Sequence, residues 1–479
     1  MAFHKKKILF ITTGVITFVV IVGILALLLN IKAFKPQIEA AASTALGMDV
    51  RIKGRMGMAL FPGFGLSLKD VNVRNKGLDV VTIEKMRIGL KLIPLARSQI
   101  KITQVGFVRP VFSIVRFKNG MFNFGKPGHM SWEKLFAVKK ISISQGNLVY
   151  ADETSGKKIE VGDLDLSIKN HFSSGPYSRE PFKNISFTGD IRCKTLKINN
   201  FTLMNLVMRA EGEKGIFDIN PVRMNMFGGT GNGKIHVDMT GPSPHYRMIY
   251  SLQQARIEEL LPLYSLKKIP KKTIEGPIKF SADLTAMGRS ADEVKRSLNG
   301  DVSVNGENLM LYNIDIDALI MKYERSQNVN LVDVGAFLLA GPIGPLLTKS
   351  YNFTSLYQES QGGKGIIRKL VSIWKVKNGT AEARDVALAS KKQRIAMKGG
   401  LNFINEQFVH VTVAVLDKRG CAVYSEKVQG PFRKPQIEKE SVFKSIAGSV
   451  LKPLGDALKF IQGEKCTVFY SGSVAQPEG

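Results

Sequence analysis

An uncharged run of 22 residues, Ile8 to Leu29, lies near the N-terminus of the chain. A helix rises about 1.5 Å per residue, so a run of this length spans about 33 Å, enough to cross a hydrocarbon core of about 30 Å. A cleaved signal peptide has a shorter apolar region, of about 7–15 residues, followed by small residues at the cleavage site. Asn30, Ile31 and Lys32 follow the run instead. The sequence therefore predicts a retained transmembrane helix rather than a signal peptide.

Lysines flank this predicted helix on both sides. Lys5, Lys6 and Lys7 precede it, whereas Lys32 and Lys35 follow it. Positive charge tends to stay on the cytoplasmic side of a membrane. We therefore expect a single-pass protein with a cytoplasmic N-terminus and an exported body.

Much of the body alternates apolar and polar residues with a period of two. This alternation gives a strand one apolar face, and turn residues at short intervals, as in Lys118-Asn119-Gly120, predict antiparallel pairing. The apolar positions of the clearest runs are Met86, Ile88, Leu90 and Leu92; Ile235, Val237 and Met239; Ile278, Phe280 and Leu284; and Val409, Val411, Val413 and Val415.

Few helices are expected. Residues 36–46 follow the helix rules of proline at the start and glycine after the end. Ser290 and Glu293 form a capping box, and residues 314–323 are a further candidate. An apolar stripe between Val442 and Leu458 predicts amphipathic helices near the C-terminus. The segment Val334–Leu347 is too short and too rich in glycine and proline to span a membrane, so it is either a buried loop or an apolar tip that enters a bilayer.

The predicted fold is mainly β with few helices, and in it a long antiparallel β-sheet body follows the N-terminal transmembrane helix. Open twisted sheets rarely exceed about 10 strands without curling or splitting. The body is therefore expected either to curl into a groove with its apolar face inside or to split into several closed sandwiches. The alternation of the sequence fits both arrangements.

The composition bears on partners. Lys and Arg number 68 against 40 Asp and Glu, which gives a formal net charge of +28 and favours anionic partners such as phospholipid headgroups. The positive residues are spread along the chain, and Lys5–Lys7 are their longest cluster. We therefore expect no nucleic-acid partner.

Three cysteines are present, Cys193, Cys421 and Cys466, and no CxxC motif occurs. In an oxidising compartment a Cys421–Cys466 disulfide is expected, whereas three free thiols are the alternative.

No sequence motif predicts catalysis, a cofactor or a metal. Residues 228–234 have the GxxxxGK spacing of a phosphate-binding loop, but Ile235 replaces the Ser or Thr that would bind Mg²⁺, and strands flank the segment. A hairpin turn is the expected structure there. The six histidines show no HExxH spacing. We therefore expect a protein that is not an enzyme and uses no cofactor.

Several segments, in order along residues 1–330, resemble the AsmA-like proteins of double-membraned bacteria, and the resemblance thins beyond Val334. They are Leu68–Asn75, Pro94-Leu95, Ile100–Val105, Arg109-Pro110, Asn119–Asn123, Ile141–Tyr150, Met226–Gly229, Gly241-Pro242, Glu275-Gly276 and Ser297–Gly300. The resemblance implies an inner-membrane anchor, a periplasmic β body with a chorein-like start, and a role in phospholipid transport and outer-membrane assembly.

This resemblance suggests four regions: an anchor (1–35), a chorein-like module (36–130), an AsmA-like groove module (131–330) and a C-terminal module (331–479). The leading hypothesis is a lipid-transfer protein in which the fourteen alternating apolar positions named above face lipid. Its partners would be membrane phospholipids and outer-membrane assembly components. The alternative is a non-enzymatic assembly factor for outer-membrane proteins built from closed sandwiches.

Overall fold

The computed structural model describes residues 35–59, 64–91, 102–125, 138–172, 185–199, 201–260, 274–326, 363–432, 434–441 and 467–478. Several predictions fall elsewhere: the transmembrane helix Ile8–Leu29, the segments Val334–Leu347 and Val442–Leu458, and the residues Leu92 and Cys466. Among the described residues, no helix is long and apolar enough to cross a membrane.

The described chain is mainly β and divides into two compact units, residues 1–215 and 216–479. The boundary predicted at 130/131 falls inside unit 1, where strands on either side of it pair with each other. The boundary predicted at 330/331 falls inside unit 2 for the same reason.

Unit 1 contains one described helix, α1 (Lys35–Leu46), which matches the helix expected over residues 36–46. Its strands are β1 (Asp49–Ile52), β2 (Met56–Ala59), β3 (Gly65–Asn75), β4 (Leu78–Leu90), β5 (Ile102–Arg116), β6 (Lys140–Asp152), β7 (Lys157–Phe172), β8 (Ile185–Ile198) and β9 (Phe201–Glu213). Strands β1 and β2 both pair with β3, and β3 to β9 then pair in chain order.

The expectation of a purely antiparallel sheet is wrong at one place, because β5 and β6 are parallel. The 23 residues from Phe117 to Lys139 separate these two strands, whereas tight turns join true hairpins such as β3–β4. Parallel neighbours require such a crossover, typically of a dozen residues or more. The short alternating runs on both sides of it carry no signal of direction.

Each strand from β3 to β9 interrupts its alternation once, near the middle of the sheet. The interruptions of β3–β6 are level with one another, and those of β7–β9 lie one row of cross-strand partners further along. In β5, for example, Val105 and Phe107 face the same side as Pro110 and Phe112, because the phase jumps by one residue at Val108–Arg109. Such irregularities bend a strand and increase its twist. Five strands place a non-glycine residue with φ between 48° and 53° at the jump: Asp70, Arg109, Gln145, Asp163 and Asn205.

The described part of unit 2 contains three short helices and twelve strands. The helices are α2 (Ile257–Leu260), α3 (Ala291–Arg296) and α4 (Ile316–Ser326). The strands are β10 (Ile216–Met226), β11 (Gly229–Asp238), β12 (His245–Arg256), β13 (Ile274–Glu275), β14 (Pro277–Met287), β15 (Asn299–Tyr312), β16 (Lys364–Lys377), β17 (Thr380–Ala389), β18 (Arg394–Asn402), β19 (Gln407–Leu416), β20 (Ala422–Pro431) and β21 (Gln436–Ser441).

Local predictions in unit 2 are confirmed. The Ser290 side chain caps α3 by accepting from the amide of Glu293, as the capping box predicts. Residues 316–326 form the expected second helix. The glycine-rich segment 228–234 begins a hairpin, because Gly229 in β11 pairs directly with Met226 in β10.

The two units differ in how their apolar residues are buried. In unit 1 a small core forms where α1 lies on the first strands, and it includes Val50, Ile52, Leu68, Val71 and Ile83. In unit 2 a large core runs from β12 to β20 and is joined by Ile316, Leu319 and Ile320 of α4. A second core lies on the other face of β16–β19 and includes Tyr470 and Val474 of the C-terminal segment.

Candidate functional site

A broad, partly exposed apolar surface lies on the face of unit 1 that carries α1. Cross-strand partners line it in rows, because the paired residues of neighbouring strands share a face. One row of seven, one residue from each strand β3 to β9, is Leu68, Met86, Phe107, Ile143, Leu166, Ile191 and Met208. A second row, beyond the phase jump, is Val73, Val81, Phe112, Leu148, Val161, Leu196 and Leu203.

These rows define what we call the open face. Strands lie about 4.8 Å apart, so each row of seven extends about 29 Å across the sheet. From Phe107 to Phe112 along β5, the two rows are about 16 Å apart. The open face is therefore a continuous apolar area rather than scattered single residues.

Burial changes across the open face. Leu68, at the α1 side, is 3% exposed, whereas Phe107, Ile143, Leu166 and Ile191 are partly exposed. Among the described residues of unit 1, α1 is the only helix, and its packing partners lie in β1 to β5. Most of the accessible part of the face therefore lies on β5–β9, where Leu203 is the one buried row residue. Apolar patches of this kind mark sites for ligands, partners or membranes.

The opposite face of the same strands is polar. The row Ser67, Arg87, Gly106, Ser142, Ser167, Asp190 and Arg209 runs parallel to the apolar rows. At the phase jump, the Arg109 guanidinium donates two hydrogen bonds to the Glu84 carboxylate and a third, of 3.4 Å, to Gln145 Oε1. The bonds from Arg109 lower the pKa of the Glu84 carboxyl. Water therefore wets one side of the sheet while the other offers hydrocarbon contact.

The fourteen positions predicted to face lipid divide into several groups. Met86 lies in a row of the open face, and Ile88 and Leu90 are partly exposed on the same strand, while Leu92 lies outside the described residues. In unit 2, Ile235, Val237 and Met239 are partly exposed. Phe280 and Leu284 pack against the unit 2 core.

Protein side chains enclose four of the predicted positions. Ile278, Val411, Val413 and Val415 are between 0% and 2% exposed and belong to the large core of unit 2. Val409 does not share a face with Val411, since the register shifts between Phe408 and Val411. Phe408 takes its place in the core. The predicted strand positions Val409, Val411, Val413 and Val415 therefore do not form one accessible apolar line.

Most of the open face was missed by strict period-two reasoning. Its residues follow the spacing i, i+2, i+5, i+7, as in Ile141, Ile143, Gly146 and Leu148 of β6. A polar residue such as Gln145, which has a positive φ, stands at the break. That spacing, repeated in successive strands, was the sequence signal from which the open face could have been predicted.

The two described cysteines differ in their bonding state. Cys421 is disulfide-bonded, whereas Cys193 is a free thiol that lies buried in β8. Burial raises the pKa of the Cys193 thiol, which keeps it protonated and poorly reactive. The pairing of Cys421 with Cys466 stays a prediction.

No group of three or more His, Cys, Asp or Glu in the described part of the chain is arranged to hold a metal ion. No curated protein and no solved structure shows a significant match to the chain. Comparison with known families finds the AsmA family over residues 4–200 and 176–339, which together cover more than half of the sequence. The matched residues include every strand of the open face, and the chain belongs to the AsmA family.

Proposed function

We propose that this protein binds phospholipid by laying acyl chains along the open face of unit 1, and that it moves lipid between membranes in support of outer-membrane assembly. The carrying observation is the continuous, partly exposed apolar area across β5–β9. Family membership supports a role in lipid transport or assembly in general. In this proposal the sheet of unit 1 curls around its apolar side, and the aligned phase jumps supply the bend.

The energetics of such a surface suit a carrier. Each methylene removed from water gains about 0.8 kcal/mol, so an acyl chain binds through many small and interchangeable contacts. Non-directional contacts of this kind fix no single position, and a chain can slide without breaking a specific bond. Binding and movement therefore need no catalytic residue, in line with our expectation of a protein that is not an enzyme.

We place the body in the periplasm and the N-terminus in the cytoplasm, with Ile8–Leu29 as the inner-membrane anchor. The disulfide at Cys421 supports this location, because such bonds persist in oxidising compartments and are rare in the cytosol. The excess of lysines before the predicted helix points the same way.

A matched pair of double variants tests the lipid site. Ile143 and Leu166 are cross-strand partners on the open face, and Ser142 and Ser167 are cross-strand partners on the polar face of the same two strands. The variants Ile143→Glu/Leu166→Glu and Ser142→Glu/Ser167→Glu add the same charge to directly opposed residues of the same two strands. They differ in the face that receives it.

Purified full-length proteins are extracted with organic solvent, and the lipids are identified by mass spectrometry. We expect phospholipid with the wild type and with the serine variant, and a loss of about tenfold or more with the open-face variant, because buried carboxylates oppose hydrocarbon contact. Lipid transfer between vesicles should follow the same order. Absence of phospholipid from the wild type, or equal loss in both variants, would refute the proposal.

A second candidate function is an assembly factor, favoured by the enclosed core of unit 2. Trp374, Leu370 and Ile395 are between 0% and 2% exposed there, and such packing leaves no space for an acyl chain. Unit 2 would then act as a rigid body that binds an outer-membrane protein or its assembly machinery. Capture of such a protein that persists in the open-face variant would favour this function.

A further inference from the structure

A cluster of lysines lies at one end of the unit 1 sheet. Lys140 at the start of β6 pairs directly with Lys169 near the end of β7, and Lys139 precedes Lys140. We call Lys139, Lys140 and Lys169 the lysine patch. Lys91, just past the end of β4, adds a fourth positive charge at the same end of the strands. Like charges directly opposite each other destabilise a strand pair, so the arrangement suggests a ligand rather than a contribution to folding.

No acidic side chain within the described residues neutralises the patch. Lys140 also faces Gln104, and the other cross-strand neighbour of Lys169 is Thr188, and both neighbours are uncharged. Among the described ion pairs none includes a patch lysine. Two acidic residues near this end of β9 have partners of their own, since Glu211 pairs with Arg209 and Glu213 with Lys214. None of the described cross-strand neighbours therefore offsets the positive charge of the patch.

The position of α1 relates this end of the sheet to the N-terminal segment. Val50 N donates to Ser43 Oγ at 2.9 Å, and Ile52 N donates to Glu39 Oε1 at 2.6 Å. The helix therefore runs antiparallel to β1, and its first residue, Lys35, points toward the end where β3 begins and β4 ends. Leu90 N donates to Phe64 O at 2.8 Å at that same end.

The 34 residues before α1 contain the uncharged run Ile8–Leu29, which stops six residues short of Lys35. A chain of six residues reaches at most about 20 Å. A membrane that holds the apolar run therefore lies near the end of the sheet that carries the patch.

We propose that the lysine patch docks this end of unit 1 on an anionic bilayer surface by binding phospholipid phosphates. Lysines bind phosphate as point charges, and each one near an anionic surface strengthens binding about fivefold. Three of them strengthen it about a hundredfold. Docking of this kind concerns a different surface from the open face and does not require that face to carry lipid.

The opposite end of the same sheet supplies internal controls. Lys76 lies in the β3–β4 turn, Lys118 follows β5, and Lys157 begins β7, and all three are exposed. They have the same charge and belong to the same unit, but they lie at the end of the strands remote from the start of α1.

The test uses the full chain reconstituted into vesicles of phosphatidylcholine alone or with added phosphatidylglycerol. A membrane-impermeant reagent acetylates accessible lysines, and mass spectrometry measures the labelling of each one. With phosphatidylglycerol we expect labelling of the patch lysines to fall about tenfold or more, and high salt to restore it, because salt screens charge. Labelling of Lys76, Lys118 and Lys157 should be unchanged.

Two triple variants use Lys91 as a reporter. In Lys139→Glu/Lys140→Glu/Lys169→Glu we expect Lys91 to lose its protection by phosphatidylglycerol, whereas in Lys76→Glu/Lys118→Glu/Lys157→Glu it should keep it. Co-purified phospholipid, measured on the purified proteins before reconstitution, reports on the open face separately.

Equal labelling of both ends in the two kinds of vesicle would overturn the proposal. So would protection of the patch by inorganic phosphate alone with no added effect of phosphatidylglycerol, since the patch would then be a simple anion site. Unchanged protection of Lys91 in the patch variant would also contradict it.

Discussion

Units 1 and 2 present similar apolar sheet faces to very different surroundings. In unit 1 most open-face residues of β5–β9 remain partly exposed, with Leu203 the buried exception, because the single described helix packs only near the first strands. In unit 2, α4 and the C-terminal segment cover the two faces of β16–β19, and residues such as Trp374 and Val413 are 2% and 0% exposed. The comparison indicates that covering elements, rather than strand composition, decide whether a face is a core or a surface.

The strongest test of this comparison substitutes the same residue type in both units. Leu370 in β16 is 1% exposed, whereas Leu166 in β7 is partly exposed. We expect Leu370→Ala to lower the free energy of unfolding by about 2–5 kcal/mol, the usual cost of a buried cavity. Leu166→Ala should cost about 1 kcal/mol, because it removes only partly buried area.

Hydrogen exchange of peptides from each unit, followed by mass spectrometry across a denaturant series, measures both values. Equal losses would mean that the open face is enclosed in solution, and the comparison would fail. Added phospholipid should slow exchange around Leu166 and leave Leu370 unaffected.

The second test concerns the C-terminal cover of unit 2. The Tyr470 hydroxyl donates to Asp385 Oδ1 and accepts from Val474 N at 3.1 Å, and burial together with Asp385 raises the pKa of Tyr470. Tyr470→Phe removes both bonds while keeping the ring, so we expect a loss of about 1–2 kcal/mol. Faster hydrogen exchange in residues 467–478 would show it. Unchanged exchange would mean that apolar packing holds the segment without these bonds.

The smallest effect is expected at a turn of unit 1. Burial raises the pKa of the Asp152 carboxyl, but hydrogen bonds from Ser155 and Thr154 and the charge of Arg116 lower it more, so the net pKa lies below its ordinary value. A lowered pKa stabilises the fold above about pH 4, and this contribution is lost as the pH falls through the folded value.

Asp152→Asn should therefore be less stable than the wild type at neutral pH and should approach it in acid. Denaturant midpoints between neutral pH and about pH 3 measure the difference. Glu153→Gln, at the neighbouring exposed position, serves as the control and should show a smaller change. A constant gap between Asp152→Asn and the wild type at every pH would contradict the assignment.

The sequence allowed the mainly β class, α1, α3, α4 and the hairpin at residues 228–234 to be predicted, because each depends on local signals. It did not allow the parallel pairing of β5 and β6, since strand direction depends on the path of a crossover rather than on alternation.

The candidate site was predicted only in outline. Met86 was among the predicted positions and lies in a row of the open face, but its row partners Phe107, Ile143 and Leu166 were not predicted. Strict alternation also led to the prediction that Val411 and Val413 face lipid, as it did for Met86. Their burial depends on residues distant in sequence, such as Ile320, which no local pattern contains.

The aligned phase jumps of β3–β9 have a consequence for how this sheet can vary in evolution. Within β3–β6 the residue at each break faces the break of the next strand, as Glu84 faces Arg109, and the breaks of β7–β9 face one another one row further along. Deleting one residue from a single strand would move the side chains of half of that strand to the opposite face of the sheet. They would then no longer match the side chains of either neighbouring strand. Homologues should therefore gain or lose length in loops or as whole strands, and the break should be inherited by all seven strands together.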